Sequence, residues 1–154
     1  MNIRTAESLA LILMHQEGLV DKGWVFKFDK AKRRFGNCSY RKQIISLSTA
    51  LTELNDETTV KNTILHEIAH ALTGSGVGHG RQWKQVARSI GCDAQVLYDS
   101  RSVVTPEHKY IGICPDGHTH KAHRRRSYSA CAKCCHRYNN GKFSEKYLIK
   151  WKEA

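Results

Sequence analysis

The sequence predicts an α+β fold, helices packed on a small antiparallel sheet, followed by a compact segment held together by metal. Three observations carry this expectation. Apolar residues recur at helical spacing in some stretches and alternate in others; His66, Glu67 and His70 share one helical stretch; and cysteines and histidines crowd the last third. The 154 residues leave room for one modest core plus a small appendage. We divide them into 1–105 and 106–154, at a polar connection from Asp99 to Glu107 that contains Pro106.

A first helix is expected from Thr5 to about Glu17, where Ala6, Leu9, Ile12 and Leu13 share a face and Gly18 follows as a stop. Trp24, Phe26 and Phe28 alternate with Val25, Lys27 and Asp29, the period of a strand with one buried face. Residues 33–40 and 43–48 read as two more strands, completing an antiparallel meander. A longer helix begins after a cap at Asn55 or Asp56 and runs to Thr73, before glycines at 74, 76, 78 and 80. Trp83, Val86, Ala87 and Ile90 form a third helical face, ended by Gly91.

Lysine and arginine exceed the acids by eleven, a surplus that favours an acidic partner such as nucleic acid and otherwise serves solubility. Leu9 to Met14 is the one sizeable apolar run near the start, with Glu7 before it and no small-residue cleavage site after it. No stretch is long enough to span a bilayer. The expectation is therefore a chain with no membrane partner that is not secreted. It would be cytoplasmic or nucleoid-associated, and nuclear in a eukaryote. Without an export signal, clustered cysteines read as metal ligands rather than disulfides.

His66-Glu67-Ile68-Ala69-His70 has the H-E-x-x-H spacing. Four helical residues advance about 40° beyond a full turn, so both imidazoles point the same way. Ile64, Ile68 and Leu72 gather on the opposite side, where they can be buried. A catalytic zinc takes three protein ligands and keeps one open position. No glutamate lies between Glu67 and Glu107, and His79 follows a glycine-rich turn that lets the chain fold back, so His79 is the favoured third ligand. Asp93 and Asp99 are weaker alternatives. In this reading zinc lowers the pKa of its bound water and polarises a scissile carbonyl, while Glu67 acts as general base. Arg81 and the tyrosines are the candidates for stabilising the oxyanion.

Trp24 with Phe26 and Phe28, Arg34-Phe35-Gly36, Ile45-Ser46-Leu47-Ser48, the run from Thr63 to Leu72, and Gly78-His79-Gly80-Arg81-Gln82-Trp83 together resemble the SprT-like zinc metalloprotease family, related to Spartan. The resemblance spans roughly residues 5 to 140. It implies a minimal zincin-like domain, His66, His70 and His79 as ligands of a catalytic zinc, Glu67 as catalytic residue, and action on DNA-crosslinked proteins, a form of DNA repair.

Cys131-Ala-Lys-Cys134 is a C-x-x-C knuckle, and Cys114 stands the right distance upstream to start the opposing knuckle of a zinc ribbon. The tight turn Cys114-Pro-Asp-Gly-His118 favours His118 over His120 as fourth ligand of this structural zinc, with His123 behind both. Cys135 reads as a free thiol, and Cys38 and Cys92 as small buried residues. From His108 onward eleven Lys and Arg face three acids, eight of the eleven surplus charges. Arg124, Arg125 and Arg126, between Tyr110, Tyr128 and Tyr138, combine phosphate-seeking cations with stacking rings, which suits DNA. The expected function is a zinc metalloendopeptidase brought to its substrate by DNA. The rival is a zinc-containing nucleic-acid-binding protein without turnover, and a third reading makes the ribbon a docking surface for another protein.

Overall fold

A computed structural model describes residues 1–96 and 103–154. The chain divides into two compact units, Met1–Pro106 and Glu107–Ala154. The first contains α1 (Ile3–Gln16), β1 (Val25–Asp29), β2 (Gly36–Ser39), β3 (Ile44–Ser48), α2 (Thr49–Leu54), α3 (Glu57–Thr73) and α4 (Arg81–Ser89).

The Asn2 side chain caps α1 by accepting from the Arg4 and Thr5 amides. Ala6, Ala10 and Met14 form its fully buried stripe, with Leu9 and Leu13 packed alongside. Ile12, expected to face inward, is instead 55% exposed. Position 12 lies about 200° round the helix from Ala10, so both cannot face the core.

The sheet is mixed, in the order β1-β3-β2, rather than the expected antiparallel meander. β1 pairs parallel with β3, from Val25↔Ile44 to Asp29↔Ser48, and β2 pairs antiparallel with β3, from Gly36↔Leu47 to Ser39↔Ile44. β3 takes the centre because residues from 45 to 48 are buried on both of its faces, Ile45 and Leu47 on one, Ser46 and Ser48 on the other. The chain passes over that position and returns to it. Asp29 pins the crossing: Oδ1 accepts from the Ala31 amide at 2.9 Å, and Oδ2 accepts from Arg34 Nη2 at 2.8 Å and Ser46 Oγ at 2.9 Å. The short helix α2, not expected from the sequence, starts where Ser48 Oγ accepts from the Leu51 amide at 3.1 Å.

α3 starts where Asp56 Oδ1 accepts from the Thr59 amide at 2.8 Å and stops at Gly74, whose φ of 87° no helix continues. Val60, Ile64 and Ile68 are fully buried in the larger core, each stabilising the unit by about 1.5–3 kcal/mol. Leu65 and Ala69, on the next face, pack with Trp83 and Ala87 of α4 in a second cluster. Thus α3 is buried along two faces, and the arc carrying His66 and His70 looks into a cleft.

The second unit contains β4 (Tyr110–Ile113), β5 (Thr119–Ala122), α5 (Ala132–Tyr138), a 3-10 turn (Glu145–Tyr147) and β6 (Lys150–Glu153). Its antiparallel sheet has the order β5-β4-β6. Gly112 is required there: a Cβ on it would lie 2.4 Å from Ile149 and 2.8 Å from the Trp151 ring. The buried core is Cys114, Cys131 and Cys134, with Tyr147 and Ile149 packed against it. Among the described residues no helix is long and apolar enough to cross a membrane.

Candidate metal centre

Two imidazoles of the triad come from consecutive turns of α3 and the third from the loop after it. That loop turns through Gly74, Gly76 and Gly78, at φ of 87°, 89° and 56°, conformations that glycine adopts without strain. The outcome is convergence. His79 Nε2 lies 2.9 Å from His70 Nε2 and 3.0 Å from His66 Nε2. An imidazole nitrogen offers one in-plane N–H or one lone pair, so His79 Nε2 cannot form a proper hydrogen bond with both neighbours. A cation accepting all three lone pairs satisfies the arrangement, and tetrahedral zinc bonds of about 2.0–2.1 Å set such nitrogens ~3.3 Å apart. The residues fit that ion.

Trp83, fully buried, forms the floor. Its ring centroid lies 4.6 Å from those of His66 and His79 and 5.2 Å from that of His70, on which it stacks. Burial, then the neighbouring imidazoles, hold His66 at about 4; burial, then His79, hold His70 at about 4. Burial, then Lys84, lower His79. All three rings are thus neutral at pH 7, the form that binds metal.

Glu67 is 7% exposed and lies against Gly36 of β2. A Cβ at position 36 would stand 2.5 Å from Glu67 Oε1, so only glycine leaves the carboxylate its place. Burial pushes the Glu67 carboxyl up to about 7, while the charge of Arg34 opposes the rise. Cys38 lines the same cleft, half-buried; burial, then Glu67, push its thiol up to about 12, so it stays protonated. Cys92 is buried.

Asp93 lies in the cleft wall but outside the triad, its Oδ1 accepting from the Gln95 amide at 3.0 Å. Asp99 lies outside the described residues. Tyr40 lines the cleft, whereas Arg81 stands exposed at the start of α4. Reading the sequence missed Gly36 as the seat of Glu67 and Trp83 as the floor. A glycine inside a strand pattern is the signal for such a close approach.

In the second unit Cys114, His118, Cys131 and Cys134 come together. His118 Nδ1 lies 3.4, 3.7 and 3.3 Å from the sulfurs of Cys114, Cys131 and Cys134, and the Cys114 and Cys134 sulfurs are 3.6 Å apart. Zinc–sulfur bonds of about 2.3 Å set tetrahedral sulfurs ~3.8 Å apart, so this donor set also fits zinc. His120 and His123 are not in the cluster. His120 Nε2 is buried without a partner among the described residues, and His123 stacks on His108 at 4.3 Å. The second cysteine pair sits at the start of α5, where Cys131 is the N-cap. Arg124, Arg125 and Arg126 are exposed between β5 and α5, and Tyr128 is 60% exposed. Cys135 is buried.

An α+β domain with three neutral imidazoles converging beside a buried carboxylate belongs to the class of proteins with a candidate mononuclear metal centre. The model of the SprT-like family matches residues 9–108, more than half of the chain, and the chain belongs to that family. The match includes His66, Glu67, His70 and His79 and ends before Cys114. No curated protein shows a significant match to the chain.

Proposed function

We propose that this chain is a zinc metalloendopeptidase that hydrolyses peptide bonds of DNA-associated or DNA-crosslinked proteins. The observation that carries the reading is the convergence of three imidazole nitrogens beside one buried carboxylate. Zinc, when bound by His66, His70 and His79, supplies a Lewis acid for the scissile carbonyl and acidifies the attacking water. Glu67 accepts a proton from that water at a carboxylate oxygen and returns it to the departing amine. Gly36 seats the carboxylate for both transfers, and Trp83 holds the three rings from below. Cys114, His118, Cys131 and Cys134 would hold a second, structural zinc, with no position open for chemistry.

The exposed Arg124, Arg125 and Arg126 near Tyr128 support recruitment by DNA through phosphate contacts that are weakly sequence-specific and salt-sensitive. The enzyme would then act in the cytoplasm at the nucleoid, or in a nucleus. Cleavage of a DNA-bound protein, measured with and without DNA, tests both parts. Glu67→Gln is expected to lower turnover about 100- to 10,000-fold with zinc content unchanged. Equal activity in wild type and Glu67→Gln would leave only the reading of a zinc-containing nucleic-acid-binding protein. Charge reversal at 124–126 is expected to remove the stimulation by DNA. Unchanged DNA affinity in that variant would make the second unit a protein-docking surface instead.

A further inference from the structure

Lysine and arginine are unevenly spread over the first unit. Residues 27–42 hold seven of its fourteen and only one of its ten acids, so the remainder of the unit carries more acids than bases. The positive field is therefore local. Its densest part is the crossing from β1 to β2, Lys30-Ala31-Lys32-Arg33-Arg34, where all four cations are exposed. The one acid of the stretch, Asp29, is occupied within the loop by Arg34, Ser46 and the Ala31 amide. Lys30 and Lys32 have no ion-pair partner among the described residues.

The backbone beneath these cations is held at several points. The Asp29 carbonyl accepts from Thr49 Oγ1 at 3.2 Å, the Ala31 carbonyl from Ser48 Oγ at 2.7 Å, and the Phe35 carbonyl from the Ser48 amide at 2.8 Å. A loop ordered in advance gives up little conformational freedom when a ligand arrives. Beside it, Lys27 is exposed on β1, on the sheet face opposite Phe26 and Phe28. Between residues 26 and 42 no large apolar side chain is exposed. A protein partner is usually anchored by aromatic and aliphatic side chains, whereas phosphates are held by cations and polar groups alone. The surface has the second character.

We propose that the 30–34 loop, with Lys27, is a contact surface for the phosphate backbone of DNA, independent of Arg124, Arg125 and Arg126 and without sequence preference. Arg33 and Arg34 also line the cleft that holds Glu67, so phosphates on this loop bring DNA to the cleft wall, where a protein attached to it must present its chain.

The surface rests on the reading that the chain works on DNA-associated proteins, and the test tells the two apart. Binding of the full chain to a fluorescein-labelled duplex oligonucleotide of mixed sequence is followed by anisotropy over a range of salt. Lys30→Gln with Lys32→Gln is expected to lower the slope of log affinity against log salt by about 2, and to weaken binding about 10- to 100-fold at ~0.1 M salt. The loss should be the same on duplexes of different sequence. Arg4→Gln with Lys22→Gln removes as much charge from other exposed sites of the unit and should stay near wild type. An equal loss in that pair would leave net charge as the cause and overturn the surface. In nitrogen-15 spectra, DNA should shift the amides of Lys30 to Arg34. Equal shifts there with poly-glutamate would give the loop to acidic protein segments and overturn it too. Wild-type affinity and slope in the Lys30→Gln, Lys32→Gln variant would overturn this surface and leave recruitment by DNA standing. A wild type that does not bind the duplex at all would sink that recruitment, and this surface with it.

Discussion

The two metal-type clusters of this chain stand on opposite foundations. His66, His70 and His79 rest on a core that does not include them: Val60, Ile64 and Ile68 bury one face of α3, and Leu65 and Ala69 bury another against α4. Cys114, Cys131 and Cys134 are themselves the buried core of their unit, with Tyr147 and Ile149 as the apolar packing around them. In the proposed function the two clusters would use zinc differently: in the first unit the fold would build the site and an ion would add reactivity, and in the second an ion would add the fold.

Metal removal should expose this difference most strongly. With a chelator and a reductant present, amide signals from residues 107–154 are expected to collapse towards random-coil positions and lose hydrogen-exchange protection. Those of α1, α3 and β3 should keep both. Cys131→Ala should reproduce the effect without chelator. A second unit that stays folded without metal would break the comparison.

Trp83 sharpens it from the other side, because it is both core residue and floor of the triad. Trp83→Ala should destabilise the first unit by about 3–5 kcal/mol in urea unfolding followed by signals of α3 and α4. The triad should also bind zinc less tightly, since all three rings lose their support. The second unit should unfold as before. A smaller effect is expected at Gly36, where Gly36→Ala inserts a methyl against Glu67 and costs about 1–3 kcal/mol. Its signature is lost peptide turnover at normal zinc content, for the ligands stay in place while the carboxylate is displaced. Normal turnover in Gly36→Ala would mean that the seat of Glu67 is looser than its packing indicates.

Local features were the readable ones. Asp56, the His66–His70 spacing and the glycines after Thr73 each act within one or two helical turns, and α3 begins and ends where they say. The tight Cys114–His118 turn is local too, and His118 rather than His120 joins the cysteines. Partner choice between strands was not readable. β1, β2 and β3 all carry acceptable strand patterns, and what sends β3 to the centre is the burial of its serine face together with the Asp29 network, contacts spanning up to 17 residues. The Gly36–Glu67 approach was hidden for the same reason: it depends on a missing side chain and leaves no periodic trace.

The way His79 is delivered has a consequence for anyone wishing to retune this centre. Two donors are ratcheted to a rigid rod and cannot be moved separately, whereas the third arrives on a hinge of left-handed glycines. Changing the donor type at 79, or the length of the hinge, is therefore the route to a different ion or coordination number that leaves the rest of the scaffold untouched.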